Sequence, residues 1–118
     1  MDFQGKPYSA SQLEWKEGSA PQRAIFDLAF NLQEHHHLTQ ALEKYRELST
    51  SLDNFALFFN LGICEAQAGD LASAELDLKR SANLNPQHRD TYKMLSTVQA
   101  ALGKDAEAKD SHNRYLKL

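Results

Sequence analysis

The sequence is poor in residues that interrupt or cross-link a chain. Its 118 residues include three prolines, five glycines and a single cysteine, Cys64. A single cysteine excludes an intrachain disulfide and any zinc site that needs two or more cysteines. Because proline and glycine mark turns, their scarcity favours a helical fold over one rich in β-turns.

The sequence also lacks long apolar runs. No stretch approaches the roughly 18 residues of a membrane-spanning helix. The N-terminal residues MDFQGKPYSAS lack the apolar core of a signal peptide. Hydrophobic residues make up 42% of the chain and charged residues 25%, which is ordinary for a globular domain. We therefore expect a soluble, cytoplasmic protein with no membrane partner.

Charge is distributed unevenly along the chain. The formal net charge is −3, but residues 1–78 carry five basic and twelve acidic residues, giving −7, whereas residues 79–118 carry eight basic and four acidic residues, giving +4. The basic part lacks clustered basic residues with interleaved aromatics, so we expect no nucleic-acid partner. Two interpretations of the asymmetry stay open: solvated charged faces, or head-to-tail stacking of copies.

The clearest positive signal is an internal repeat. Residues 55–88 and 89–118 align at an offset of 34, and residues 22–54 align with the middle unit at an offset of 33. The aligned positions hold large apolar residues at helical spacing, with small residues among them. In the middle unit the pattern residues are Phe58, Leu61, Gly62, Gly69, Asp70, Ala74, Leu78 and Pro86.

This pattern resembles the tetratricopeptide repeat (TPR) family, whose units are about 34 residues long. The resemblance spans residues 22–118 and implies an all-α fold, a right-handed α-solenoid of three antiparallel helix pairs. Residues 1–21 then form an N-terminal extension. Each pair buries its apolar faces only by stacking on its neighbours. We expect helices at about 22–35, 38–50, 55–68, 71–84, 89–102 and 105–117.

Glycine has two different roles in this pattern. Gly62 lies inside a helix, where it costs about 1 kcal/mol relative to alanine, and we expect close packing of a neighbouring helix to offset that cost. Gly69 and Gly103 are expected to end their helices in a left-handed conformation. Asp70 is expected to cap the next helix. In the first unit, His36 stands at the position of Gly69.

In this family the first helix of each unit lines a concave face that binds a peptide or helix of a partner protein. Five positions on that face hold apolar residues that core packing does not require, which predicts exposed anchors for the partner. They are Phe26, Phe30, Phe59, Ile63 and Met94. We expect Phe59→Ala to weaken binding with little loss of stability. Carried over by position, the whole peptide-binding groove comprises Arg23, Phe26, Asp27, Phe30, Gln33, Phe59, Asn60, Ile63, Gln67, Asp90, Lys93, Met94 and Thr97.

Some members of the family recognise the C-terminal tail of chaperones through a clamp of lysine, arginine and asparagine. Asn60 is the only clamp residue that this sequence keeps. Phe26 and Phe30 replace lysine and asparagine, and Asp90 and Met94 replace basic residues. We therefore expect no binding of chaperone tails. The expected ligand is apolar, either an amphipathic helix or a strand with bulky side chains.

The segment before the repeats, residues 1–21, contains Phe3, Tyr8, Leu13 and Trp15, the only tryptophan. Three placements stay open for it: a cap on the outer face of the first unit, an occupant of the groove of its own chain or of a neighbour, or a mobile segment. This segment or the apolar end of the last helix could also support a homo-oligomer.

No arrangement of residues predicts catalysis. His35–His37 fall on a predicted turn, where consecutive side chains point in different directions rather than converging on a metal ion. The sequence has no glycine-rich phosphate loop. Cys64 falls at a position that prefers small residues, so we expect a buried, inert thiol. We therefore expect a chain that is not an enzyme and that uses no cofactor or metal.

The function that these patterns favour is a protein–protein interaction module, an adaptor or scaffold that binds a partner segment in an apolar groove. One alternative is a TPR-type chaperone for secreted proteins, similar to those of bacterial type III secretion. Another is a self-assembling structural scaffold, in which the N-terminal segment of one copy enters the groove of the next.

Overall fold

Six α-helices make up the part of the chain that the computed structural model describes, which is Pro7 and residues 20–118. The predicted helices are confirmed, and no end differs from its predicted position by more than two residues. The first helix begins earlier than predicted because Pro21 is tolerated in a first turn, where its missing N–H has no helical partner to lose. The helices are α1 (Ala20–Glu34), α2 (Leu38–Ser49), α3 (Phe55–Gln67), α4 (Leu71–Leu84), α5 (Arg89–Ala101) and α6 (Asp105–Lys117).

The helices pack in adjacent pairs, α1 with α2, α3 with α4, and α5 with α6. Successive pairs meet through α2 and α3 and through α4 and α5. The first helices of the pairs also touch, α1 with α3 and α3 with α5, whereas the described parts of α2, α4 and α6 do not contact one another. The stack therefore curves toward α1, α3 and α5. We call the surface of these three helices that faces away from α2, α4 and α6 the inner face.

The turn inside each pair uses one residue with a left-handed backbone. Gly69 and Gly103 have φ angles of 90° and 78°, which glycine adopts without a steric penalty. His36, at the equivalent position of the first pair, has φ 61° despite carrying a side chain. The Asp70 carboxylate accepts a hydrogen bond from the Ser73 N–H at 3.2 Å, so the predicted cap is confirmed.

The close approach predicted at Gly62 is also confirmed. A Cβ atom at this position would lie 2.7 Å from Cγ of Leu78 and 3.3 Å from the carbonyl oxygen of Ala74. Any side chain here would therefore push α3 and α4 apart. The absence of a side chain allows the two helices to pack closely, and that packing offsets the helix propensity that glycine lacks.

Helix α3 lies at the centre of the hydrophobic core. It contributes Leu57 and Phe58 to a cluster with α1 and α2, and Phe59 and Ile63 to a second cluster with α4 and α5. Cys64 is fully buried, and burial raises the pKa of its thiol to about 12, so the thiol is protonated and unreactive at neutral pH. Within the described residues, no helix is both long enough and apolar enough to traverse a bilayer.

Candidate functional site

All of the residues predicted to line the groove lie on α1, α3 and α5, the helices of the inner face. Their exposure differs from one helix to the next. The exposed members are Arg23, Asp27, Asp90, Lys93 and Thr97. Phe30 and Gln67 are half-buried. The buried members are Phe26, Gln33, Phe59, Asn60, Ile63 and Met94.

A hydrogen-bonded network joins three of the predicted groove residues. The Tyr45 hydroxyl donates to Oε1 of Gln33 at 2.8 Å and accepts from Nδ2 of Asn60 at 3.3 Å. Nε2 of Gln33 then donates to Oε1 of Gln67 at 2.9 Å. The network links α1, α2 and α3, and it gives buried amide groups the hydrogen-bond partners that they need.

Tyr45 is the centre of this network, although its place in the repeat predicts only core packing. Its ring packs edge-on against Phe26, with 5.9 Å between ring centroids. Burial raises the pKa of the Tyr45 hydroxyl, so the hydroxyl is a permanent donor. The sequence did contain a sign of this network, because Tyr45 has a hydroxyl group at the position that holds Leu78 in the second unit and His112 in the third.

The prediction of several exposed apolar anchors is wrong for four of the five residues. Phe26, Ile63 and Met94 are buried, and Phe59 is only 2% exposed, within the core cluster that joins α3 to α5. The Phe59 ring also meets His88 edge-on at 5.0 Å. The expectation that Phe59→Ala costs little stability is therefore wrong, because the substitution would leave a cavity.

Helix α3 is buried on every side. Each residue from Ala56 to Ala66 is buried within the chain as a whole. Consecutive residues of a helix point 100° apart, so this run samples every direction around the axis, including the inner face. Neighbouring inner-face positions on α1 and α5 are more open, as the exposed Asp27 and Thr97 show.

The α5 end of the inner face is charged. Asp90 and Lys93 are both exposed there. The Arg89 guanidinium lies 4.3 Å from the centroid of the Tyr115 ring, and the Lys93 ammonium lies 5.9 Å from it. These cation–π contacts hold two basic side chains at the edge between α5 and α6.

Two carboxyl groups are buried between helices, Glu65 on α3 and Glu75 on α4. Glu65 is close to Arg46 of α2. Its Oε2 accepts from Arg46 at 3.4 Å, whereas Oε1 has no hydrogen-bond partner among the described residues. Burial, reinforced by the neighbouring Asp77 carboxylate, raises the pKa of Glu65 to about 9. The raised pKa favours the protonated, neutral form of the buried Glu65 carboxyl group.

Glu75 is the second buried carboxyl group, and its surroundings act in the opposite direction. Burial disfavours its charge, but hydrogen bonds from Lys104 at 2.7 Å and Gln99 at 3.2 Å, with the nearby Lys79 ammonium, lower its pKa. Gln99 in turn accepts from the Ser111 hydroxyl at 2.7 Å. These hydrogen bonds connect α4, α5 and α6, and they give the ionised Glu75 carboxylate the partners that it needs.

Within Pro7 and residues 20–118, no three histidine, cysteine or acidic side chains are grouped to hold a metal ion. His35–His37 are exposed on the turn between α1 and α2. A cavity of about 400 Å³ opens between α4, α5 and α6, away from the inner face, and its lining includes Lys79, Tyr92 and Arg114.

Comparison with known proteins identifies the fold. The structure is similar to a solved structure described as the second TPR of Spaghetti (RPAP3) bound to HSP90 peptide SRMEEVD, with a TM-score of 0.78. The two chains are 20% identical, and the match covers 84% of this chain and 93% of that one. No protein-family model and no curated protein matches the sequence. The chain therefore has the TPR fold, with six helices in three pairs.

Proposed function

We propose that this chain is a non-enzymatic protein–protein interaction module whose inner face binds a peptide or helix of a partner protein. The observation that carries the proposal is the curved stack of α1, α3 and α5, whose inner side has exposed predicted groove positions on α1 and α5. The solved TPR structure to which the chain is similar holds a peptide, which supports the same class of function.

The ligand that fits this surface is apolar rather than acidic. Phe30 is the predicted anchor that keeps part of its ring exposed, and Asp90 carries negative charge on α5. An acidic peptide would lack basic partners at the clamp positions and would meet the Asp90 carboxylate. An apolar segment would instead bury Phe30, with an affinity near the micromolar range because the peptide loses entropy when it becomes ordered.

A peptide selection tests the proposal. A random peptide library displayed on phage is selected against the full chain, and the recovered peptides are titrated calorimetrically. We expect Phe30→Ala to weaken their binding roughly tenfold, which corresponds to about 1.4 kcal/mol. Leu28→Ala is the matched control, because Leu28 is 46% exposed on the same helix but is not among the groove positions.

The peptide SRMEEVD serves as a second probe. We expect no binding of this peptide at concentrations that saturate the chain with a selected apolar peptide. Tight binding of SRMEEVD would contradict the proposed ligand class. If no recovered peptide distinguishes Phe30→Ala from Leu28→Ala, the inner face is not the binding surface and the proposal fails.

Self-association is a second candidate function, favoured by apolar side chains at the end of the last helix. Leu116 is 61% exposed and Leu118 is also exposed, beside a small cavity of about 240 Å³ that includes Pro86 and Lys117. Light scattering over a range of concentrations tests it: a dimer that Leu116→Lys dissociates would support it, and a monomer throughout would exclude it. The secretion-chaperone alternative stays a prediction.

A further inference from the structure

The second and third helix pairs carry an arginine at the same repeat position, and the second pair shows what this arginine binds. The Arg80 guanidinium on α4 lies 4.3 Å from the centroid of the Phe58 ring. It also forms an ion pair with the Asp53 carboxylate, in the loop before α3, at 2.6 Å. An aromatic ring and a carboxylate together therefore hold this arginine.

Arg114 on α6 repeats only half of this arrangement. It stands 34 residues after Arg80, and its guanidinium lies 5.6 Å from the centroid of the Tyr92 ring. Asp53 lies two residues before α3, whereas the residue two before α5 is the uncharged Gln87. Within the described residues, the hydrogen bond of Arg114 is the one that it donates to the Tyr92 hydroxyl at 3.4 Å. The third pair thus keeps the arginine and the ring but lacks the carboxylate.

A groove opens beside Arg114. The described parts of α4 and α6 do not contact each other, and the cavity of about 400 Å³ between them reaches down to Leu95 of α5. A second cavity, of about 240 Å³, extends toward Lys117. Both cavities are lined by Pro86, Tyr92 and Arg114, and we call the two together the outer groove. Its size is in the range of roughly 300–1,000 Å³ that is typical of ligand sites.

The charges around the outer groove favour a single carboxylate. Arg114 and Lys117 form no ion pair within the described part of the chain, whereas Lys79 is already paired with two glutamates. Asp110 also lines the larger cavity, and its charge would repel a phosphate group, which carries about two negative charges, more strongly than a carboxylate. The Tyr92 ring is only 4% exposed, so it offers no face for stacking of a nucleotide base.

We propose that the outer groove is a second protein-binding site, which takes an acidic side chain of a partner peptide at Arg114. The carboxylate occupies the place beside Arg114 that Asp53 has beside Arg80, where charge-assisted hydrogen bonds hold it. An apolar side chain next to it in the peptide enters the larger cavity, against Leu95 and Pro86. The outer groove lies away from the inner face, so this site does not depend on the proposed function.

A titration with a peptide copied from the chain itself tests the site. The probe is the blocked peptide SLDNF, the sequence of residues 51–55, which contains the carboxylate that binds Arg80 in the second pair. The control is the same peptide with asparagine in place of aspartate. Each peptide is added to the isotope-enriched full chain, and the amide signals of α5 and α6 and the Nε–H signal of Arg114 are followed. We expect saturable shifts in the millimolar range for SLDNF, because one exposed ion pair contributes little, and none for the control.

Substitutions assign the binding to the arginine. Arg114→Gln should weaken the binding of SLDNF about fivefold, which is the upper end of what an exposed ion pair contributes. Lys109→Gln is the matched control, because Lys109 is exposed on the same helix but is not among the described residues that line the outer groove. Gln87→Asp supplies a carboxylate where the second pair has Asp53, so it should compete with the peptide and weaken its binding, whereas Gln87→Asn should not.

Three results would overturn the inference. Equal weakening by Arg114→Gln and Lys109→Gln would show that the peptide responds only to net charge. Equal shifts from inorganic phosphate at the same concentration would assign the outer groove to small oxyanions rather than to a peptide. A dimer in light scattering that Arg114→Gln dissociates would assign it to a second copy of the chain. Because these readouts concern the outer groove, the library selection against the inner face can fail without affecting them.

Discussion

The middle and third helix pairs share one 34-residue pattern, but they use equivalent positions differently. In the middle pair, the positions of Phe59 and Gly62 are buried against neighbouring helices. In the third pair, the equivalent positions hold Lys93, which is exposed, and Ser96, which is half-buried. The repeat therefore determines where the helices lie, whereas the neighbouring helices determine whether a given position is buried or exposed.

The buried polar positions repeat this contrast. The Asp77 carboxyl group of α4 helps to raise the pKa of Glu65 on α3, and at the positions 34 residues later Ser111 of α6 donates a hydrogen bond to Gln99 of α5. The glutamine–serine pair needs no proton to satisfy its hydrogen bonds. Glu65 and Asp77 are both carboxyl groups, and two ionised carboxylates offer only acceptors. The middle pair thus carries a titratable version of the contact that the third pair makes with neutral groups.

The largest expected effect is the difference in stability loss between alanine substitutions at Phe59 and at the equivalent Lys93. Phe59→Ala should lower the free energy of unfolding by about 3–5 kcal/mol, because it empties a buried ring site between α3 and α5. Lys93→Ala at the equivalent exposed position should change it by less than about 0.5 kcal/mol. Urea unfolding followed by circular dichroism measures both. Similar losses for the two variants would remove the contrast between the pairs.

The next effect concerns the helix contact at Gly62. Gly62→Ala should destabilise the chain by roughly 1–2 kcal/mol, since overpacking against Leu78 exceeds the gain in helix propensity. Ser96→Ala in the third pair should be nearly neutral. In a Leu78→Ala background, where the nearest obstructing atoms are gone and the Ala74 carbonyl oxygen remains, Gly62→Ala should cost much less stability. A stabilising Gly62→Ala in the unmodified chain would show that α3 and α4 pack less closely.

The pH dependence of stability tests the carboxyl pair. The folded state raises the pKa of Glu65 from 4.5 to about 9. Between these values the folded chain binds one more proton than the unfolded chain, so this contribution is present in full below about pH 4.5 and is lost as pH rises toward 9. Urea midpoints measured across this range should fall with pH in the unmodified chain.

Glu65→Gln should remove that dependence and raise stability at pH 8 by on the order of 1 kcal/mol, since a neutral amide takes the place of a buried group that must bind a proton on folding. Glu75→Gln is the control, because the contribution of Glu75 to stability should change with pH in the opposite direction. The pKa of Glu75 is lowered by its partners, so its contribution is present above the unfolded pKa and is lost as pH falls. Parallel pH profiles for Glu65→Gln and the unmodified chain would contradict the raised pKa of Glu65.

The smallest expected effect extends the comparison to the first pair. His36 adopts φ 61° where the other pairs have Gly69 and Gly103. His36→Gly should stabilise the chain by about 0.5–1 kcal/mol, because glycine removes the left-handed strain and loses part of that gain to chain entropy. Gly69→His is the reciprocal control and should destabilise. A destabilising His36→Gly would mean that the imidazole makes a contact worth more than the strain.

Features set by local spacing were predictable from the sequence. Gly69 was predictable as a helix end because glycine adopts a left-handed backbone, and Asp70 as a cap because its side chain accepts a backbone hydrogen bond. Gly62 was predictable as a close contact because glycine is otherwise unfavourable inside a helix. The same register placed the predicted groove residues on three adjacent helices.

Features set by tertiary neighbours were not predictable. The Tyr45 network needs amides from two other helices, and the pKa of Glu65 depends on burial and on Asp77 across a helix interface. The burial of Ile63 was missed because it depends on packing in the core cluster with α4 and α5.

Chemical-shift mapping tests the central claim, that the inner face is the binding surface. A peptide recovered from the library is titrated into the isotope-enriched full chain, and the amide shifts of residues 20–118 are followed. The account predicts that the largest shifts lie at inner-face positions such as Asp27, Phe30 and Thr97. Shifts concentrated on the outer helices α2, α4 and α6, with those positions unmoved, would contradict it.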